Sequence, residues 1–224
     1  SDSILPGATN LPITRLFIVR HGETLANREF RFIGSRDDLL SEHGQVQAAQ
    51  VAEALAAFPI VAVYSSPMQR TYATAVPIAA RHALDAQKFE ALREGGFGAW
   101  EGMNRAEVLA LSPEDARHFY EWERDANLAP PGGESMAALQ QRVCSGVEQL
   151  ALAHPDQSIV LVSHVGPIKA LICAALGVPI TSSPRIFLDP ATISVVDWRD
   201  MTHAVVRLVN SHAHLGWLQA RWMH

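Results

Sequence analysis

The chain reads as one α/β domain on a mostly parallel sheet with an antiparallel edge, and three observations support that fold class. Short continuous apolar runs recur at Leu16-Phe17-Ile18-Val19, Ile60-Val61-Ala62-Val63-Tyr64 and Ile159-Val160-Leu161-Val162, as expected of strands covered on both faces. Segments with helical start and stop signals separate these runs. Late in the chain, residues 193–198 and 204–210 flank a polar turn at Arg199-Asp200 and read as a hairpin that adds the antiparallel edge. With 224 residues, 48% of them hydrophobic and 18% charged, the chain can bury one large core, so a single domain is expected.

Taken in order, the first strand delivers Arg20 and His21 at its end. Ser41 is placed to cap a helix running to about residue 58, and Pro59 leads into the second strand. That strand ends at Ser65-Ser66-Pro67. Ser66 followed by Gln69, with Pro67 between them, has the form of a capping box with proline at the first helical position, which puts Arg70 in a helix's first turn. Residues 104–149 read as helices interrupted at Ala129-Pro130-Pro131-Gly132-Gly133, a loop expected to border a cleft, after which Glu134-Ser135 starts a helix. The third strand is followed by Ser163-His164, with Pro167 opening a helix and Gly177 closing it. There is no internal repeat and no low-complexity tract. Residues 1–14, polar at the start and carrying Pro6 and Pro12, are expected to form a flexible segment or a linker from an upstream fused domain, with residues 15–224 as the domain proper.

The net charge of −5 argues against a surface that attracts nucleic acid or anionic lipid as a whole, so any affinity for anions must be local. Cys144 and Cys173 lack CxxC or Cys/His spacing and read as reduced packing residues. No apolar run reaches membrane-spanning length. These features place the protein in the cytoplasm, without membrane or nucleic-acid partners. Oligomeric state stays open, a homodimer included, and Trp217 and Trp222 are available to pack against the body or a partner subunit. His212, His214 and His224 lack a zinc-ligand spacing and read as a polar tail.

Each of the three buried strands ends in a turn bearing a cationic or titratable side chain, Arg20 with His21, Arg70, and His164. Open α/β sheets bind ligands beyond the carboxyl ends of their strands, so these side chains are expected to converge. The set suits a phosphoryl group. Arg20 and Arg70 offer planar donor forks for phosphate oxygens, His164 can add a donor, and a neutral His21 is a competent nucleophile whose pKa two nearby arginines would lower. A carboxyl must still protonate the departing oxygen and later deprotonate water. Glu90, Glu94, Glu101 and Glu107 lie close together in sequence, and spacing alone does not choose among them.

Four ordered motifs choose. Arg20-His21-Gly22-Glu23-Thr24, Ser65-Ser66-Pro67-Met68-Gln69-Arg70, Leu92-Arg93-Glu94 with Gly98-Ala99-Trp100-Glu101-Gly102, and Val162-Ser163-His164 together resemble the histidine phosphatase, or phosphoglycerate-mutase-like, superfamily across residues 16–210. The resemblance implies a three-layer α/β/α sandwich and no metal or organic cofactor. It implies His21 as the phosphorylated nucleophile, Arg20, Arg70 and His164 as the phosphate pocket, Glu94 as the acid/base, and Asn27 as a contact to the phosphoryl group. Phe97-Gly98-Ala99-Trp100-Glu101-Gly102 is similar to the phosphatase branch, including α-ribazole-phosphate and broad-specificity phosphatases, and the extra basic insertion of the mutases is absent. Pro131-Gly132-Gly133-Glu134-Ser135 and Arg207-Leu208-Val209-Asn210 resemble α-ribazole-phosphatase-like proteins, some of them fused to ribonuclease H in actinobacteria. Ser163-His164-Val165-Gly166 departs from the commoner Ser-His-Gly-Gly.

The function implied is a phosphomonoesterase acting on a small phosphorylated metabolite such as α-ribazole phosphate or a sugar phosphate. The alternatives are a phosphoglycerate-mutase-type isomerase and a module that binds phosphate ligands without turnover. Apart from the motifs, Arg70 could be a solvated first-turn residue, His164 a satisfied core histidine and Asn27 a loop or cap residue. Phe97, Trp100 and Arg105 are candidates for the substrate wall, and an acidic pH optimum is expected.

Overall fold

The structure, a computed structural model, describes residues 10–223, so the first nine residues of the expected linker and His224 lie outside the described residues. In chain order the elements are β1 (Thr14–Arg20), α1 (Leu25–Arg28), α2 (Glu42–Leu55), β2 (Ile60–Ser65), α3 (Gln69–Ala80), β3 (Ala86–Lys88), α4 (Arg105–Leu109), α5 (Pro113–Arg124), α6 (Met136–Ala153), β4 (Ser158–Ser163), α7 (Val165–Leu176), β5 (Ile193–Asp200) and β6 (His203–Ser211). They build one six-stranded sheet in the order β3-β2-β4-β1-β5-β6. The strands β3, β2, β4 and β1 run parallel, whereas β5 pairs antiparallel to β1 and β6 antiparallel to β5.

Side chains alternate across the strands, and each face is apolar. Leu16, Ile18, Ile159 and Leu161 pack with Val143 and Val147 of α6 and Leu171 of α7. Phe17, Val19, Val160 and Val162 point the other way, onto Val51 and Leu55 of α2 and Ala75 and Ile78 of α3. A sheet buried between two helical layers is the three-layer α/β/α sandwich expected, and each of these fully buried aliphatic side chains contributes about 1.5–3 kcal/mol through removal from water. The two cysteines are buried and unpaired, on α6 and α7. Among the described residues no helix is long and apolar enough to cross a membrane.

Helix α7 begins at Val165 rather than at Pro167, and the β5–β6 turn falls after Asp200 rather than at Arg199-Asp200; four further details differ from the sequence reading. The short edge strand β3, Ala86-Gln87-Lys88, has no apolar run to reveal it, because it exists through pairing with β2 rather than through a buried face. Helix α2 begins after Ser41, whose side chain accepts from the Gly44 N–H, but ends at Leu55. Ser66 does not cap α3; the helix starts at Gln69 with Met68 at the cap and no side-chain capping bond. Instead the Ser66 N–H prolongs the sheet by donating to the Val162 carbonyl at 3.0 Å. The stretch beyond β6 is no polar tail: His212 is buried and its Nε2 lies 2.8 Å from Asp189 Oδ2, while His214 Nε2 lies 2.6 Å from the Ala191 carbonyl. Gly177 closes α7 in the left-handed conformation, with φ of 68°.

Candidate active site

Strand register brings the side chains together. Arg20 stands beside Ser163, and Ser65 beside Val162, so β1, β2 and β4 end level with one another. The sheet's hydrogen bonding continues one residue further, with the His21 N–H donating to the Ser163 carbonyl at 3.1 Å. The turn after His21 lies against the start of α2. A side-chain carbon on Gly22 would come 2.6 Å from the Gly44 carbonyl oxygen, and one on Gly44 would come 2.2 Å from that of Glu23, so both positions need glycine for this close backbone approach. From the other side Thr74 of α3 accepts from the Gly22 N–H at 3.0 Å.

These contacts fix His21 in a buried position and settle its tautomer. Nδ1 lies 2.7 Å from the Gly22 carbonyl oxygen, which can only accept, so Nδ1 carries the proton and Nε2 keeps its lone pair. Burial chiefly, then the charges of Arg70 and Arg20, holds the imidazole well below its ordinary pKa. His164 meets it edge to face, the ring centroids 5.3 Å apart. Its Nε2 lies 2.8 Å from Ser66 Oγ, and burial followed by Arg70 again keeps the ring neutral. The hydroxyl that the sequence suggested as a helix cap therefore serves His164.

Arg70 is buried in the first turn of α3 and donates to the carbonyls of Arg36 and Gly34, the latter at 3.0 Å. Arg20 donates to the Leu188 carbonyl. Burial, with the cation of Arg221 next, pulls Arg20 down to about 9, which leaves it charged at neutral pH. Among the described residues the Nε atoms of both arginines are buried without a hydrogen-bond partner.

Glu94 approaches from the loop after the turn Glu90–Leu92. Its Oε1 accepts from the Gly95 N–H at 2.8 Å and its Oε2 from the Gly166 N–H at 3.2 Å, the latter at the start of α7. Burial raises its pKa above the ordinary carboxylate value, opposed by those two N–H groups and more weakly by Arg70 and Arg20. A side-chain carbon on Gly166 would sit 2.2 Å from Glu94 Oε1, so this glycine makes room for the carboxyl. Val165, the departure from the commoner glycine, occupies the first position of α7 and lines the cavity.

Arg20, His21, Asn27, Arg70, Glu94 and His164 all line one cavity of about 430 Å³. Asn27 also serves as a cap residue: its Oδ1 accepts from the Thr24 N–H at 3.0 Å, which leaves its amide NH₂ as a donor. Phe97 borders the cavity, whereas Trp100 and Arg105 do not. Trp100 is fully buried among Val108, Phe119 and Trp122, and Arg105 pairs with Glu123 on the outside, so neither forms the substrate wall. Among the described residues no three His, Cys, Asp or Glu side chains gather so as to hold a metal ion.

This geometry has relatives. The model of the histidine phosphatase superfamily, branch 1, matches residues 16–211. The chain belongs to that superfamily. It is 38% identical over 210 residues, 93% of its length, to a bifunctional protein of Mycobacterium tuberculosis, of which it spans only 57%. It is 35% identical to phosphoserine phosphatase 1 of Hydrogenobacter thermophilus, with 91% of this chain and 95% of that protein covered. A mycobacterial glucosyl-3-phosphoglycerate phosphatase in complex with inorganic phosphate superposes with a TM-score of 0.78 and 32% identity, covering 90% of this chain and 99% of that one.

Within this member of the superfamily, sequence reasoning missed several residues. Arg142 of α6 donates to the carbonyls of Ala91 and Arg93 at 2.9 and 3.1 Å and pairs with Glu134 at 2.7 Å, so it holds the segment that carries Glu94. Nothing in its sequence surroundings marks it. Arg221 lines the cavity because the chain beyond β6 turns back, its backbone N–H donating to Asp189 at 3.2 Å and its Nη2 to the Asn27 carbonyl at 3.0 Å. Lys169, one turn beyond His164 on α7, also lines it. Only Gly166 was within reach, as the residue two after His164.

Proposed function

We propose that the chain is a phosphomonoesterase that works through a phosphohistidine on His21. The observation that carries this reading is the pairing of a neutral His21, its lone pair on Nε2, with a buried carboxyl whose pKa is raised on the same cavity. Arg20, Arg70, His164 and the Asn27 amide bind the peripheral phosphoryl oxygens. His21 Nε2 attacks phosphorus, the bond to the leaving oxygen breaks, and the Glu94 carboxyl gives that oxygen its proton. Water then attacks the phosphohistidine, Glu94 takes the water's proton, and the P–N bond breaks to free His21 and inorganic phosphate. Hydrogen bonds from the Gly95 and Gly166 N–H groups stabilise the ionised form of Glu94 that the second step needs.

The substrate is a small phosphorylated metabolite, as the names of the phosphatase relatives suggest for those proteins. The reading also includes a reducing cytoplasmic setting, in keeping with two unpaired thiols, and a phosphatase domain over residues 15–224 joined by the preceding segment to an upstream module. The greater length of the bifunctional relative is in keeping with a further module, and says nothing of which end carries it. Self-association as a homodimer would use the half-exposed Trp217 and Trp222, and light scattering at twice 24.4 kDa tests it.

The deciding experiment incubates the protein with chelator and either p-nitrophenyl phosphate or 3-phosphoglycerate. Release of free phosphate is expected, and His21→Ala should lose about 10⁴-fold in kcat. Conversion of 3-phosphoglycerate to 2-phosphoglycerate faster than phosphate release would make the protein a mutase. Ligand binding without turnover on a broad phosphoester panel would make it a binding module.

A further inference from the structure

The charges around the cavity do not balance with a simple phosphate ester. Most charged residues that line it already have partners: Arg31 pairs with Glu29 and Glu107, Glu123 with Arg105, and Glu134 with Arg142. Arg221 is spent as well, on Asp189, on the Asn27 carbonyl and on the face of Phe30, 4.7 Å from the ring centroid. Four remain: the cations Arg20, Arg70 and Lys169, and the carboxyl of Glu94. When Glu94 is protonated, as an acid for the leaving group must be, a phosphate ester brings two negative charges to three positive ones.

The surplus charge is that of Lys169. It is half-buried on α7, and its ammonium makes no hydrogen bond or ion pair within the described residues; among the charges acting on it the like charge of Arg20 outweighs the attraction of Glu94, which is lost once Glu94 is protonated. Placing an unpaired ammonium beside another cation in a partly desolvated cavity costs free energy unless an anion joins it. The wall near it, from the turn Ile180–Arg185 that packs on α7 and the residues after it, is apolar at Ile180, Pro184 and Phe187. Apolar neighbours lower the local dielectric, so a single charge acts more strongly there than it would at the open surface.

We propose that Lys169 is a specificity residue that binds a second anionic group of the substrate, a carboxylate or a second phosphate, in addition to the phosphoryl group that is transferred. This rests on the phosphatase reading and narrows it to phosphomonoesters that carry two anionic groups. Arg20 and Arg70 take the reacting phosphoryl, and Lys169 selects what is attached to it.

The test compares matched pairs, 3-phosphoglycerate against glycerol 3-phosphate for a carboxylate and fructose 1,6-bisphosphate against fructose 6-phosphate for a second phosphate. The expected result is that the wild type prefers the more anionic member of at least one pair, which also identifies the group bound. In Lys169→Met that ratio of kcat/KM should fall about tenfold, mostly through KM, as loss of one hydrogen bond to a charged group implies, and Lys169→Arg should keep most of it. A ratio that is the same in the wild type and Lys169→Met, or absent preference in both pairs, overturns the proposal. If the wild type hydrolyses neither these four nor p-nitrophenyl phosphate, the phosphatase reading fails instead. Calorimetry then decides Lys169 separately: the affinity for 3-phosphoglycerate relative to inorganic phosphate must drop in Lys169→Met, and an unchanged ratio overturns the proposal.

Discussion

The two walls of the cavity are built differently. The wall proposed to bind phosphate, Arg20, His21, Arg70 and His164, sits within a residue or a helical turn of three adjacent parallel strand ends, and hydrogen bonds that continue the sheet fix where His21 and Ser66 lie. The opposite wall comes from loops and from the chain beyond β6. Glu94 is set by Arg142, by a hydrogen bond from Ser163 Oγ to the Leu92 carbonyl at 2.7 Å, and by the space above Gly166, while Arg221 arrives from the far end of the chain. The strand-end wall carries its geometry in the backbone of the sheet, whereas the loop wall depends on side chains that hold other side chains. Substitutions that leave the sheet intact should therefore disturb proton transfer and selectivity more readily than phosphate binding.

The largest effect that separates the walls is expected for Glu94→Gln. Loss of the proton donor should lower kcat by about 10²–10⁴-fold, more for an alkyl phosphate than for p-nitrophenyl phosphate, whose leaving group needs less help. Affinity for inorganic phosphate should be retained. The pH profile sharpens the same point. The pKa of His21 is lowered, so the nucleophile stays neutral well below pH 6.5, and that of Glu94 is raised, so the acid form persists above the ordinary carboxylate range. Activity should peak on the acid side of neutrality and fall as pH rises through the pKa of Glu94, and Glu94→Gln should lose that falling limb. Activity that climbs steadily into the alkaline range would remove Glu94 as the donor.

Gly166→Ala comes next. The added methyl would meet Glu94 Oε1 at 2.2 Å and Leu139 at 3.1 Å, so the carboxyl must move. A displacement of about 1 Å can cost roughly 10²-fold in rate, and with alanine favoured in a helix the fold should survive. Full activity in a folded Gly166→Ala variant would mean that Glu94 acts from another position. Ser66→Ala, the smallest change, deprives His164 Nε2 of its partner and should lower kcat/KM by about tenfold, as loss of one hydrogen bond at a buried imidazole implies. Calorimetry with inorganic phosphate checks whether that loss lies in binding, where the strand-end wall acts.

The same contrast explains what could be read from the sequence. Residues 16–19, 60–64 and 159–162 announce buried strands, and a side chain placed just past such a run is located by the fold itself, so the convergence of Arg20, His21, Arg70 and His164 was legible. Strand β3 was not, since Ala86-Gln87-Lys88 has no apolar pattern and depends on its neighbour. Ser66 was legible as a turn residue but misassigned, because capping and bonding to a distant histidine need the same hydroxyl. His212 looked polar in isolation, and only the return of the chain toward Asp189 buries it. Glu94 was identified by motif resemblance alone, and Arg142 and Arg221 owe their places to contacts that reach across about 50 or more residues of sequence, which no local pattern records.

The covalent intermediate puts a histidine nucleophile to the most direct test. The protein is mixed with a ³²P-labelled phosphoester, quenched in alkaline detergent, and the labelled peptide is sequenced. Label on His21, stable to alkali, released by mild acid and absent from His21→Ala, is expected. An acid-stable label on a hydroxyl residue, an alkali-labile one on a carboxyl, or rapid turnover with no labelled protein would contradict it.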